Sequence, residues 1–504
     1  MLFSDTPGVD WFSRGYGAYR LASEIRKAGY TALVVDFTCA LGMDMYKEII
    51  DRTVTEDTLM VGFSTTWFPY RHDSRPNSRY SVGTRTLKEP DPWDDFSKDA
   101  HEWYRDSLSY QFSGNGITDY VDYIRQKNSK TKVVVGGGKS YEYLTEPSID
   151  NVFIGYSENQ TIDYLHSLSG RGPKRIFNKI INYDVKAQIG LFDFNDSITE
   201  YTEADGVLPD EVMTIEFSRG CIFNCSFCSY PHRNQNTRDY MKYQETIRKE
   251  LMDNWERWGT TKYLITDDTF NDYTEKLIAI NEVIQTLPFK PKFWAYLRLD
   301  LISRNPEQAQ LIKDIGVVEC YYGLETWSEE TAKTIKKGGS LAKKIEGMRI
   351  GKECWGDDLY VTAGIVIGLP RDTKASLEAV MEWYKQEGHK YIDLLTFWPL
   401  SLRANSDLDQ YLFLSDIEAN FEKYGYTVPN DLTWTRTGGD INDKETANEL
   451  MFKYNEQAQQ YWTVRRVVWD YSYLEQMWPS NSRTETVYNF ITKHYQPNLL
   501  NNLR

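Results

Sequence analysis

Three observations predict an α/β fold of two parallel sheets in series, closed by a small, mainly helical C-terminal region. Strand and helix patterns alternate from residue 15 to about 165, a second run of six strand-then-helix units extends from residue 213 to about 400, and beyond that the alternation stops. Strands that alternate with helices need crossover connections, and these build parallel sheets with a fixed hand.

The elements follow in order. The stretch GYGAYRLASEIRKAGY spaces its apolar residues for a helix and leads into an apolar strand from Thr31 to Asp36. A helix over 43–52, a strand from Leu59 to Ser64, a helix over 117–126 and strands at 132–135 and 151–154 complete a Rossmann-like or flavodoxin-like domain of residues 1–170. Within it residues 68–112 are polar, rich in Pro, Ser and Asp and without a period, which predicts a long loop insertion. Residues 171–211 are weakly patterned and read as a connector.

Residues 212–400 predict the second sheet. Its strands are Met213 to Phe217, Lys262 to Thr266, Lys292 to Leu297, Val317 to Gly323, Tyr360 to Ile367 and Tyr391 to Phe397. Helices fall between them at about 244–257, 272–286, 306–314, 328–354 with a break at Gly338-Gly339, and 373–387. Six units fall short of the eight of a closed TIM barrel, so an open, partial (β/α)6 barrel is expected. Residues 401–504 turn aromatic and polar around one amphipathic helix from Lys444 to Trp462, and read as a region that caps the substrate.

Of 504 residues, 58 are Lys or Arg and 73 are Asp or Glu, a net charge of -15. Such a field repels polyanions and argues against nucleic acid or anionic membrane as partners. No stretch approaches the about 18 apolar residues of a membrane span, and the start MLFSDTPGVDWFSRG has neither region of a signal peptide. A cytoplasmic location is expected. The 36 Tyr and 15 Trp exceed what a core uses, and point either to aromatic packing or to substrate-facing surface.

Three of the six cysteines fall within eight residues, as Cys221-x3-Cys225-x2-Cys228, directly after the first barrel strand. In a reducing compartment such a cluster suggests metal binding or catalysis. Three thiolates can ligate three irons of a 4Fe-4S cube and leave the fourth iron open. Zinc is the rival, because His232 could complete a closed Cys3His site. The position favours the cluster, since the carboxyl mouth of a βα barrel is where catalysis occurs.

Other strand ends carry candidates: Asp267 and Asp268, Arg298 with Asp300, Glu325 in GLET, and Gly364 and Gly368 in GIVIGLP. Each also has an ordinary reading as a helix cap, a solvated carboxylate or a turn. In the first domain Ser64, Thr65 and the turn Gly136-Gly137-Gly138 stand at strand ends, where doubly wound sheets bind ligands. Cys39, Cys320 and Cys354 read as structural. Lys333, Lys336, Lys337, Lys343 and Lys344 read as a solvated helix face.

The motif Cys-x3-Cys-x2-Cys, with Phe227 just before its last cysteine, resembles the hallmark of the radical S-adenosylmethionine (SAM) superfamily, and the resemblance runs over about 211–400. It implies that the three cysteines hold a 4Fe-4S cluster and that SAM chelates the open iron. One electron then splits SAM into methionine and a 5'-deoxyadenosyl radical, which takes hydrogen from a small-molecule or peptide substrate. The resemblance also implies a reductant such as flavodoxin or ferredoxin. Asp267 or Asp268 stands where many relatives grip the SAM amino group, and Glu325 where they contact ribose or methionine. Gly364 and Gly368 resemble the glycines that let the backbone approach adenine, and Arg298 is a strand-end residue on the cofactor side.

The segments RGYGAYRLASEIRKAGYTALVVD, VGFSTTW, VVVGGG and IGYSENQ resemble the cobalamin-binding type of domain that precedes many radical SAM barrels. There Ser64, Thr65, Gly136 and Gly137 would accept the nucleotide tail. A cobalt-ligating Asp-x-His-x-x-Gly would need histidine at 38 and glycine at 41, and the chain has Thr38 and Leu41. Relatives without that histidine include both cobalamin-bound and empty domains, so cobalamin stays open. With it, the expected reaction is methylation of an unactivated carbon; without it, cyclisation, rearrangement or desaturation. A non-catalytic iron-sulfur or cobalamin sensor is the reading from another class. Methylthiotransfer is not expected, because extra N-terminal cluster cysteines and an RNA-binding tail are missing.

Overall fold

The computed structural model describes residues 1–4, 13–36, 43–65, 117–138, 140–182, 193–230, 233–404, 406, 409, 413–430, 433–463, 468 and 496–503. The expected insertion 68–112, Thr38, Cys39, Leu41 and His232 lie outside them. By contact the chain forms two compact units. One holds residues 1–214 with 253–260 and the helix Gln496–Asn502; the other holds 215–252 and 261–468.

The first unit is built on a six-stranded parallel sheet: β1 (Leu2–Phe3), β2 (Val34–Val35), β3 (Met60–Ser64), β4 (Lys132–Gly136), β5 (Asn151–Ile154) and β6 (Ile180–Asn182), in the order β2-β1-β3-β4-β5-β6. Helices Tyr16–Lys27, Met43–Thr53, Ile117–Lys127 and Glu158–Ser169 connect them. Strand order reverses between β1 and β3, so the carboxyl ends of these two strands open the crevice where such sheets bind ligands. Phe3, Tyr46, Phe63 and Tyr120 are buried together with ring centroids 4.4 to 6.3 Å apart. Aromatic packing therefore absorbs part of the tyrosine excess.

The stretch after the helix Glu158–Ser169 is stitched into this unit. β6 extends the sheet, and the buried guanidinium of Arg14 reaches Glu211 (2.8 and 2.9 Å) and the carbonyls of Asp205 and Gly206 (2.8 and 3.0 Å). A fully buried charge needs this degree of pairing to be tolerated.

The second sheet is a parallel ribbon of six strands in sequence order: β7 (Met213–Ile215), β8 (Lys262–Ile265), β9 (Lys292–Leu297), β10 (Val317–Glu325), β11 (Tyr360–Ile367) and β12 (Leu394–Pro399). This is the partial barrel that the strand count predicts. β12 starts later than its hydrophobic pattern because Gly388–Lys390 coil into a 3-10 turn. The helix expected over 328–354 is two, Glu329–Thr334 and Leu341–Trp355, separated at Gly338 and Gly339 with φ of +73° and +72°. On one face Phe293, Ala295, Leu297, Cys320, Tyr322, Leu324, Ala363, Ile365 and Phe397 are buried. The other face alternates with it and carries Trp294, Tyr296, Tyr321, Thr362, Gly364, Thr396 and Trp398, with Tyr296 37% and Trp398 43% exposed.

An open barrel leaves an edge strand with unpaired backbone groups. Here the helix Lys444–Gln459 closes it with a side chain: Asn455 donates to the Phe397 carbonyl at 3.0 Å and accepts from the Phe397 amide at 2.9 Å. Trp462 Nε1 and the Thr463 amide continue the ladder to Leu395 O (3.0 Å) and Asp393 O (2.9 Å). Asn455→Ala leaves two buried backbone groups unpaired and is expected to cost about 2–3 kcal/mol, read from denaturant unfolding. Among the described residues no helix is long and apolar enough to cross a membrane.

Candidate active site

The site grows from the end of β7. Phe217, Ser218, Arg219 and Gly220 lead into Cys221, and Gly220 has φ +110°, a turn that a side chain would strain. Asp267, just past β8, holds this lead-in by accepting from the Phe217 amide at 2.8 Å and Ser218 Oγ at 2.5 Å. Behind it the buried Lys276 ammonium lies 3.6 Å from Asp267 and 2.6 Å from Asp272, and donates to Ser218 Oγ (3.1 Å) and the Thr269 carbonyl (3.0 Å). Burial opposes its charge, but the Asp272 and Asp267 carboxylates outweigh burial and hold Lys276 above its ordinary pKa.

The cysteine loop is then pinned by its own backbone. The Cys221 and Phe223 carbonyls accept from the amides of Gln235 (3.0 Å) and Asn234 (2.9 Å). Ser226 pairs with Ile335 O and the Ile417 amide at 2.8 and 2.9 Å. All three cysteines are free thiols. Cys225 is buried, Cys221 Sγ lies 3.5 Å from Thr269 Oγ1, and Cys228 Sγ accepts from the Tyr230 amide at 3.4 Å. Phe227 lies half-buried in the same loop.

Burial pushes the Cys228 thiol up to about 11 and raises Cys221 as well, so both stay protonated unless a cation takes the sulfur. Among the described residues no three His, Cys, Asp or Glu side chains converge as the ligands of one ion would, at about 2.0–2.3 Å each. A cube takes each thiolate on a different iron, and three cysteines on one loop supply that set. The donor set fits the 4Fe-4S reading.

The neighbouring strand ends divide into committed and uncommitted groups. Both oxygens of Asp267 are spent on the lead-in. Asp268 takes a hydrogen bond from the Tyr230 side chain, its Oδ2 is buried with no partner among the described residues, and burial pushes this carboxyl up to about 8. Arg298 lies with its guanidinium 3.8 Å above the ring of Phe223, between the first two cysteines, and pairs with Asp300. It also donates to the Lys337 carbonyl at 2.5 Å, and Lys337 Nζ pairs with Glu325 at 3.1 Å. The structure thus brings the cysteine loop, Arg298, Lys337 and Glu325 into one connected group. Glu325 has φ +63°, a conformation that costs a non-glycine residue of order 1–3 kcal/mol.

Two glycines have unexpected neighbours. A Cβ at Gly364 would stand 1.9 Å from Tyr321 Oη, and one at Gly368 2.5 Å from the Trp434 ring. Here their missing side chains admit Tyr321 and Trp434. The expected solvated lysine face is corrected at two positions. Lys337 and Lys344 are buried, and Lys344, lowered to about 8 by burial, donates to the carbonyls of Leu324 (3.2 Å) and Thr326 (3.0 Å). Sequence reading missed them because a helical lysine run looks the same whether its stems reach water or backbone.

In the first unit, Ser64, Thr65, Gly136 and Gly137 meet at the carboxyl ends of β3 and β4, where Ser64 pairs with Gly136. The Thr65 amide and hydroxyl both donate to Gly136 O, at 2.7 and 2.9 Å. Gly137 has φ +98°, and among the described residues beyond its chain neighbours no atom lies within 4 Å of a Cβ built on Gly138.

Comparison with known proteins agrees with this geometry. Residues 215–384 match the Radical SAM superfamily. The chain is 25% identical over 241 residues to the anaerobic magnesium-protoporphyrin IX monomethyl ester cyclase of Cereibacter sphaeroides, covering 47% of this chain and 37% of the relative. It is 25% identical over 318 residues to the hopanoid C-3 methylase of Methylococcus capsulatus, covering 57% and 58%. In both cases it spans less than two thirds of the relative's length. Its fold is similar to that of the radical SAM methyltransferase TsrM from Kitasatospora setae, solved with cobalamin and a 4Fe-4S cluster bound. That likeness has a TM-score of 0.58 at 16% identity and covers 91% of this chain and 84% of that one. Cysteine spacing, strand order and sequence match thus meet in one segment: residues 215–384 carry a radical SAM domain, preceded in the chain by a sheet domain of the fold found in that cobalamin-bound relative.

Proposed function

We propose that this protein is an enzyme that holds a 4Fe-4S cluster on Cys221, Cys225 and Cys228, cleaves SAM reductively and uses the resulting radical to take hydrogen from substrate. The observation that carries this reading is three free thiols on one pinned loop, with the Asp268 oxygen that has no partner among the described residues beside it. When bound, the cluster supplies the single electron that splits the sulfonium carbon-sulfur bond of SAM.

The chain's own residues do the rest. Asp268 offers its free oxygen to the SAM ammonium, and burial makes that pairing strong because water does not compete. Glu325, fixed by Lys337, presents a carboxylate at the end of β10 to ribose hydroxyls or the methionine amino group. Tyr296, Tyr321 and Trp398 offer aromatic surface on the open face of the barrel, which suits a planar or apolar substrate. The relatives named for a porphyrin ester and for hopanoids, and TsrM, solved with tryptophan, agree with that class.

We assign cobalamin to the N-terminal sheet, with Ser64 and the Gly136–Gly138 turn against its nucleotide tail; when bound, it supplies the methyl group for carbon methylation. The side-chain-free turn is what lets a bulky ligand approach the backbone there. Kinship with the cyclase favours one second reading, radical cyclisation. We place the enzyme in a reducing cytoplasm with a flavodoxin or ferredoxin as electron donor.

Anaerobic purification and reconstitution tests the proposal. The expected result is a coloured protein that forms 5'-deoxyadenosine and methionine from SAM and dithionite, with a corrinoid spectrum marking retained cobalamin. Colourless, iron-poor preparations would refute it. An intact cluster that never releases deoxyadenosine would instead mark a sensor.

A further inference from the structure

Arg298 is held from several sides. Its backbone is clamped by Asn271, which accepts from the Arg298 amide at 2.8 Å and donates to its carbonyl at 3.0 Å. Nε and Nη2 pair with the two oxygens of Asp300 at 3.1 and 2.9 Å, and Nη2 also reaches Lys337 O. The guanidinium lies over Phe223 of the cysteine loop at 3.8 Å. The residue is only 5% exposed, yet Nη1, away from the edge that Asp300 occupies, is buried with no hydrogen-bond partner among the described residues.

A buried N–H on a charged group is costly to leave unpaired, so a site that keeps one is arranged for an acceptor outside the protein's own atoms. Burial works against the guanidinium's charge, while Asp300 and then the thiolate form of Cys225 work for it. The guanidinium, lying over Phe223, therefore stands in the field of the cysteine loop. An electron-rich sulfur there gains charge when a cluster takes an electron, and hydrogen bonds and charges near the sulfurs are what set cluster potentials.

We propose that Arg298 is a positioning residue for the cluster, a fixed cation whose Nη1 donates to cluster sulfur and makes reduction of the cluster easier. The inference rests on the reading that Cys221, Cys225 and Cys228 hold a 4Fe-4S cluster. The step is a one-electron reduction in which an external low-potential donor such as dithionite is oxidised and no bond in the protein changes. Asp300 is the counterweight: it fixes the fork and offsets part of its charge.

The test is a redox titration of full-length, anaerobically reconstituted protein, followed by EPR of the reduced cluster in the absence of SAM, after iron and sulfide are quantified. Arg298→Gln is expected to load iron as the parent does and to lower the reduced-to-oxidised ratio at a fixed potential about tenfold, equivalent to about 59 mV for one electron. Asp300→Asn removes the opposing charge and should move the ratio the other way. Opposite signs are not what a merely structural role produces. Unchanged potentials, shifts of the same sign, or a shift seen only when SAM is added would overturn the proposal, the last by assigning Nη1 to the SAM carboxylate. Should Arg298→Gln lose its iron, the sign of the Asp300→Asn shift decides alone, with a rise supporting and anything else refuting. Parent protein that holds no iron would defeat the underlying cluster reading instead.

Discussion

Cys225→Ser is expected to leave a folded protein that binds no iron-sulfur cluster and forms no deoxyadenosine. Serine is nearly isosteric, and the contacts that shape the loop at this point are backbone ones, such as the Cys228 amide on the Cys225 carbonyl at 3.1 Å. Stability should therefore change by less than about 1 kcal/mol. The hydroxyl, however, cannot replace a soft thiolate on iron. Changes to outer-shell partners alone cost about 10–100-fold in metal affinity, so loss of a ligand should exceed about 100-fold. Iron content and visible absorption read the loss, and circular dichroism reads the retained fold. Cys320→Ser is the control. Cys320 is 1% exposed in β10, and burial holds its thiol well above the ordinary range, so its replacement should cost stability and leave iron untouched. Turnover surviving in Cys225→Ser would remove the basis of the proposed function.

The contrast between these two cysteines shows what could be read from the chain alone. Spacing distinguished Cys221, Cys225 and Cys228 because three sulfurs on one loop have few uses, and alternating βα patterns gave both parallel sheets. Short elements escaped. β1 is only Leu2–Phe3 and β6 only Ile180–Asn182, too brief for a period to emerge, although β1 sits where the strand order reverses. Asp267 and Asp268 were inseparable as letters, since which of two adjacent carboxylates is spent on the scaffold depends on Phe217, Ser218 and Lys276, far away in sequence. Glycines were ambiguous for a similar reason. A missing side chain at Gly364 signals close approach, but only the fold says that Tyr321 comes near. Arg298 stood out as a strand-end residue, while the unpaired state of Nη1 exists only once Asp300, Lys337 and Phe223 surround it.

Lys276→Met should be the most destabilising single change near the site, at about 3–5 kcal/mol, because it strips the counter-ion from a buried group. Lys276 is 4% exposed, and so nearly are its partners, Asp267 at 2% and Asp272 at 7%. Methionine fills most of the volume, so the cost comes from two carboxylates left facing each other in a low-dielectric interior rather than from a cavity. The pH dependence separates these causes. Burial already raises Asp267 relative to its unfolded value, and loss of the ammonium raises it further. A carboxyl whose folded pKa exceeds its unfolded one gives stability below the unfolded pKa and loses it as pH rises through the folded one. The deficit of Lys276→Met should therefore shrink as pH falls toward the ordinary carboxylate range, whereas a packing defect would not respond. Adding Asp267→Asn and Asp272→Asn should recover part of the loss at neutral pH. Iron loading should not recover with it, because the asparagine at 267 holds the Phe217 amide and Ser218 hydroxyl less firmly than the carboxylate does, and the cysteine loop starts from those two residues. Unfolding midpoints across pH, measured beside iron content, would show stability and cluster loading separating in this way, and a deficit independent of pH would mean that Lys276 acts by filling space.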